Sequence, residues 1–199
     1  MRLILASASP RREQLLRQIG LDFEVEASRV DESRHPDEGP GEYVERLARA
    51  KAGAVAGPER VVLAADTIVL HEGRILGKPA HPEEARTMLR RLQGDRHEVV
   101  TGVCVAGWEG EPVIHSTVDL AEVELLPLTD EEIADYVDTG EPMDKAGAYA
   151  LQGLGARFVS AVRGSPFTVI GLPLHVVPIL LERAGCPVPI SLPNQPYLG

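Results

Sequence analysis

Apolar and polar positions alternate along this chain in blocks. Residues 2–6 form an apolar run after Arg2 and read as a buried strand that stops at Ser7. Ser9 then fits a helix N-cap, and Pro10 fits the first helical position, where its missing N–H is no loss. The pattern predicts a helix to about Ile19, with Gly20 as its stop. "FEVEAS" alternates as a short strand. Residues 29–41 are polar and rich in Pro and Gly, and read as a loop. "EYVERLARAKAGAVA" has helical spacing, with Tyr43, Leu47, Ala50 and Ala54 expected on one face. "RVVLAADTIVL" is a continuous apolar run broken only by Asp66 and Thr67, as a central strand covered on both faces should be.

"HEGR" reads as a turn into "ILGKP". "HPEEARTMLRRLQG" predicts a helix with Pro82 near its start, acids in its first turn and Gly94 at its end. "HEVVTGVCVAG" and "PVIHSTVDLAEVEL" predict a hairpin around "WEGE". "LTDEEIADYVDTG" predicts a helix with a capping box, Thr129 with Glu132, stopping at Gly140. Residues 141–156, "EPMDKAGAYALQGLGA", show no clean period and read as a loop of functional type. "RFVSAVRG" reads as a strand. "LPLHVVPILLERAG" reads as a last helix, bent or interrupted at Pro178. From Cys186 onward, four prolines in fourteen residues predict an extended arm. Strands and helices alternate around a central hairpin, so the expected class is α/β, a mixed sheet with flanking helices.

At 199 residues the chain is long enough for one substantial domain or two lobes. We expect one domain over residues 1–185 and a Pro-rich tail over 186–199. Cys104 and Cys186 stand in unrelated contexts, which argues against a disulfide framework or a zinc site. No apolar stretch approaches the ~18 residues of a membrane span. The apolar run before Ser7 is too short for a signal peptide, so the expectation is a cytoplasmic protein. The net charge of −10 argues against a broad nucleic-acid groove. A small anion is still accessible to a local basic cluster. Only three of the twenty basic side chains are lysines, Lys51, Lys78 and Lys145.

The joint at residues 7–12 is such a cluster. A helix N-terminus carries unpaired N–H groups and partial positive charge. Ser7 and Ser9 add hydroxyls, and Arg11 and Arg12 add forked donors matched to phosphate oxygens. An anion site and a plain cap with solvated arginines are equal readings of this stretch alone. Asp66 stands where an unpaired carboxylate is costly to bury, which calls for a metal, a cation or an activated water. Glu32 in "VDES" offers a second carboxylate for Mg²⁺ or Mn²⁺. Lys51 and Lys78, each by itself, read as phosphate contacts or as surface lysines. Together the groups suit phosphoester or phosphoanhydride hydrolysis. No Walker A loop, HExxH or GxSxG is present.

"SASPRR", "VDES", "AADTIV", "GKP" and "DKAGAYALQG", in this order and spacing, resemble the Maf family of nucleoside triphosphate pyrophosphatases from about residue 3 to residue 184. The resemblance implies hydrolysis between the α- and β-phosphates of a nucleotide. It implies an inosine-triphosphatase-like (Maf/Ham1-like) fold with a cleft between two lobes, and a divalent metal. It implies Asp66 as catalytic, Ser7, Arg12, Lys51 and Lys78 as substrate-binding, and Glu32 with Asp66 as metal ligands. Arg11, Thr67 and Gln152 fall on the positions that divide the family by base, in the pattern of its dTTP and UTP subgroup rather than its 7-methyl-GTP subgroup. The Gln152 amide suits a pyrimidine edge, having both a donor and an acceptor. The family's link to septum formation leaves open a non-hydrolysing nucleotide-binding regulator. A homodimer is compatible with the family, and no nucleic-acid or membrane partner is expected.

Overall fold

The computed structural model describes residues 1–108 and 110–188. Its strands are β1 (Arg2–Leu5), β2 (Glu24–Val25), β3 (Arg60–His71), β4 (Arg74–Leu76), β5 (Arg96–Trp108), β6 (Pro112–Leu125) and β7 (Val159–Arg163). Its helices are α1 (Pro10–Gln18), α2 (Pro40–Gly53), α3 (Pro82–Leu92), α4 (Asp130–Asp138), α5 (Pro166–Ile170) and α6 (Val177–Arg183). Three short 3₁₀ segments lie between Glu141 and Phe158. The strands form one sheet in the order β2-β1-β3-β5-β6-β7, with β4 on the outer side of β3. β1 runs parallel to β2 and to β3, and the other pairings are antiparallel. The mixed α/β architecture is the one that the block pattern predicts.

Two apolar clusters share one face of the long strands. Val61, Leu63 and Ala65 of β3 pack with Val103 and Val105 of β5 against α1 and α6. Further along, Val69 and Val99 pack against α3 and α4. All these positions have the same parity on their strand, so they point the same way. The positions skipped between the clusters are Thr67 and Thr101, direct partners in register. A polar pair therefore divides two cores, and the division is the floor of a cleft.

The edge of β3 has a matching break. β1 pairs with it up to Leu63, and β4 pairs with it only from Val69. Between them the edge is open at Asp66, Thr67 and Ile68. On the opposite face Val62 and Ala64 pack with Cys104 and Ala106 under α2. There Gly102, the register partner of Asp66, lies against the helix backbone. A Cβ on Gly102 would stand 2.4 Å from the Val44 carbonyl oxygen. Only glycine lets α2 sit this low on the sheet.

Some expectations need correction. The buried stripe of α2 is Val44, Leu47, Ala48 and Ala52, not Tyr43, Leu47, Ala50 and Ala54. The helix is turned by about one residue because its backbone rests on Gly102. "FEVEAS" forms only a two-residue strand, Glu24–Val25. Pro178 does not interrupt the last helix; it stands in the first turn of α6, where no N–H is needed. The preceding residues 172–176 are not helical, while the unassigned "PFTVI" is α5. At the start of the tail, the Cys186 N–H bonds the Leu181 carbonyl, and Cys186 and Val188 pack on the first core. Residues 189–199 lie outside the described residues.

Candidate active site

A cleft of about 370 Å³ opens at the gap in the β3 edge. Its lining includes Arg11, Arg12, Glu32, Lys51, Asp66, Thr67, Lys78 and Gln152. A smaller cavity of about 190 Å³ continues from it past Ser7, Ser9 and Ser28, sharing the two arginines, Glu32 and both lysines. Every residue singled out from the sequence thus lies on one of two adjoining cavities. Six segments deliver them, the β1–α1 joint, the loop bearing Glu32, α2, β3, the stretch after β4 and the loop bearing Gln152, which is why no single stretch reveals the site.

Arg12 leaves the first turn of α1 and is fixed from behind. Its Nε donates to the Gly171 carbonyl at 2.8 Å, Nη1 to Ser7 Oγ at 3.2 Å and Nη2 to Thr67 Oγ1 at 3.2 Å. A guanidinium has five N–H donors, so two remain for a ligand. All three acceptors are neutral. Burial pushes the Arg12 guanidinium below its ordinary value, and the charge of Asp66 pulls it back. A buried cation held by neutral oxygens attracts an anion. Ser7 also accepts the Ser9 N–H at 3.2 Å, so Ser7, not Ser9, serves the start of α1.

Thr67 belongs to the same support. Thr101 Oγ1 donates its one proton to the Thr168 carbonyl at 2.9 Å. The 2.9 Å contact between Thr67 and Thr101 hydroxyls must then have Thr67 as donor. Thr67 Oγ1 is left with acceptor capacity alone, and it already accepts from Arg12. Gly171, after α5, has φ of 115° and closes this corner. "SPFTVIG" has no periodic apolar pattern to predict an element, although Ser-Pro at one end and Gly at the other mark a short helix.

The carboxylates meet on α2's side. Lys51 Nζ lies 2.6 Å from Asp66 Oδ1 and 2.7 Å from Glu32 Oε1. Lys51 follows Leu47 by four residues, so it extends the buried stripe of α2 to the cleft floor. The loop bearing Glu32 is pinned by the same helix. Tyr43 Oη donates to the Glu32 carbonyl at 2.7 Å, and Arg46 binds both Glu38 oxygens and the Ser33 carbonyl. The Arg46 bond holds the Glu38 carboxyl down at about 2. Lys78 is exposed, and among the described residues it makes no ion pair.

Arg11 turns across the cleft mouth. It donates to Asp144 Oδ2 at 2.8 Å and to the Asp144 carbonyl at 3.2 Å. Burial pushes the Asp144 carboxyl up, but hydrogen bonds from Lys145 and Arg11 outweigh it and hold the group at about 2. Gln152 is exposed on the rim, in a turn secured by Glu141 and Tyr136. Sequence reasoning missed Gly102, Asp144, Glu141 and Tyr136. A glycine inside an otherwise apolar strand was the available signal for Gly102, and the motif "DKAGAYALQG" was the signal for Asp144, its first residue; Glu141 stood in the same loop and Tyr136 in a predicted helix, neither with a signal of its own. Among the described residues no three His, Cys, Asp or Glu side chains group as a metal cage.

A polar cleft where β1 ends its parallel pairing with β3, ringed by cations in an acidic chain, is an α/β site built to attract an anion. The sequence profile described as Maf-like protein matches residues 2–184, and the chain belongs to that family. A relative named dTTP/UTP pyrophosphatase from Anaeromyxobacter sp. (strain Fw109-5) is 51% identical over 200 residues, covering 100% of this chain and 97% of the relative. One of the same name from Koribacter versatilis (strain Ellin345) is 49% identical over 187 residues, covering 93% and 95%. Among solved structures, the Staphylococcus aureus Ham1 protein overlaps at a TM-score of 0.39 with 18% identity, covering 62% of this chain and 72% of that one. A nucleoside-triphosphatase (dITP/XTP pyrophosphatase) from Mycobacterium abscessus overlaps at 0.39 with 12% identity, covering 93% and 95%.

Proposed function

We propose that this chain is a nucleoside triphosphate pyrophosphatase that converts dTTP and UTP, modified uridine nucleotides included, to the monophosphate and pyrophosphate. The observation that carries the reading is the meeting of Asp66 and Glu32 on Lys51 beside Arg12 in one cleft. The names of relatives about half identical over nearly the whole chain supply the nucleotides.

In this reading Arg12 and Lys51 hold phosphate oxygens, with Lys78 as an exposed point charge and Ser7 keeping Arg12 in place. Asp66 orients a water toward the α-phosphorus and takes up its proton. The cations oppose the charge that builds on departing pyrophosphate. Arg11, Thr67 and Gln152 set base preference. Two carboxylates converging on one point beside a phosphate cleft fit Mg²⁺ or Mn²⁺, which take oxygen ligands and complete their shell from water and substrate. Glu32 and Asp66 would hold that ion. When bound, it supplies charge neutralisation on the phosphoryl oxygens. To hold it, Glu32 or Asp66 would have to be released by Lys51, whose ammonium would find another partner in an arriving phosphate.

The test is pyrophosphate release over a panel of dTTP, UTP and 7-methyl-GTP, with Mg²⁺ or Mn²⁺. The expected result is turnover of the first two, abolished in Asp66→Asn without loss of the fold. Product from 7-methyl-GTP alone would shift the base assignment. No product from any nucleotide would leave a nucleotide-binding regulator.

A further inference from the structure

We propose that Glu141, which lies outside the cleft, is a positioning residue for Gln152 and thereby for nucleotide selectivity. The proposal rests on the reading of Gln152 as the group that meets the base. Gln152 is exposed, and among the described residues its side chain has no hydrogen-bond partner, so it does nothing to fix its own turn. The turn is fixed from beneath. Glu141 Oε2 accepts the Leu154 N–H at 2.9 Å, and Oε1 accepts the Gly155 N–H at 2.9 Å. Tyr136 Oη donates to Glu141 Oε1 at 2.9 Å and accepts the Ala150 N–H at 3.2 Å. One carboxylate–phenol pair thus grips the chain two residues before Gln152 and two and three residues after it.

The grip depends on small residues. A Cβ on Gly153 would fall 2.5 Å from Glu141 Oε2, and one on Gly155 would fall 2.5 Å from Tyr136 Oη. Gly153 also has φ of 95°. "QGLG" is therefore shaped to wrap a carboxylate. Glu141 is itself secured: its N–H donates to Thr139 Oγ1 at 3.2 Å, and its carbonyl accepts Lys145 Nζ at 2.7 Å. Burial raises its carboxyl, yet the two N–H donors and the phenol hold it net below the ordinary range. The grip matters because an amide reads a base only where its donor and acceptor stand opposite the base edge. A turn free to shift carries Gln152 off that edge and takes with it the contact that separates uracil from cytosine, whereas a held turn keeps the amide in place.

The experiment compares kcat/KM for dTTP and dCTP in the full chain and in Glu141→Gln, Tyr136→Phe, Gln152→Ala and Glu141→Gln/Gln152→Ala. Glu141→Gln removes one of the two charged acceptors. Tyr136→Phe keeps the ring against Phe158, 5.0 Å between centroids, and so stands in should Glu141→Gln fail to fold. The expected result is a fall of about 10-fold in the dTTP:dCTP ratio for Glu141→Gln. A smaller fall is expected for Tyr136→Phe, and no further fall in the double variant beyond Gln152→Ala. Equal losses on both nucleotides, or additive losses in the double variant, would overturn the proposal and leave a structural role. An unchanged ratio in Gln152→Ala would instead overturn the reading of Gln152 itself, and the proposal with it.

Discussion

Arg11 and Arg12 are adjacent in the chain, yet their guanidinium groups answer to different partners. Arg12 is bound to three neutral oxygens, and Arg11 is paired to the Asp144 carboxylate across the cleft. Arg12→Lys should therefore lose all but one of the supporting bonds, because an ammonium cannot span a fork. We expect kcat/KM to fall roughly 10²-fold for every nucleotide tested. Arg11→Lys should leave more activity and alter the ratio between dTTP and 7-methyl-GTP. Steady-state kinetics on both variants checks this; indistinguishable profiles would refute the division. The sequence could nominate both arginines, since hydroxyls and guanidiniums at a helix start suit an anion. Residue type alone could not separate them; the resemblance to the family does, with Arg12 for substrate and Arg11 for base preference. In the structure the two part company at Gly171 and Asp144, far away in the chain.

Elements decide how close these groups come. β3 was legible from its apolar run, and Asp66 from the expense of a carboxylate within it. The height of α2 above the sheet was not, because it depends on Gly102 in β5 meeting the backbone of Val44. For the same reason the predicted face of α2 was displaced, since helical spacing fixes a stripe only to within a residue of rotation. Gly102→Ala forces the helix up or the strand down. We expect a loss of about 1–3 kcal/mol in urea unfolding, as for an overpacked core. Turnover should fall beyond what partial unfolding explains, because Lys51 is drawn away from Asp66. A crystal structure of this variant with the 2.6 Å Lys51–Asp66 pair intact would refute the link. The loop at 141–156 was recognisable by its small residues, but its order was not. That order comes from Glu141 and Tyr136, which carry no periodic signal.

At the scale of the molecule, stability should depend on pH through His97. Burial, and then the charge of His71, pushes its imidazole from 6.5 down to about 4, while Nε2 meets Tyr149 Oη at 2.8 Å. Between those values the unfolded chain binds a proton that the folded chain refuses. Stability is then full above pH 6.5 and falls as pH drops toward about 4, by on the order of 3 kcal/mol. Urea midpoints between about pH 7 and pH 4.5 check this, with His97→Gln expected to flatten the curve; a wild-type midpoint constant over that range would refute it. The break in the β3 edge has another consequence. Leu63 turns its carbonyl toward β1, where it accepts the Ala6 N–H at 2.8 Å. By strand alternation both the N–H and the carbonyl of Thr67 face the same side, now with no strand beside them. A donor and an acceptor of the main chain thus look into the cleft. This portion of the recognition surface has no side chain to vary, so no alanine scan will detect it; of single substitutions, only proline at position 67 would remove its donor.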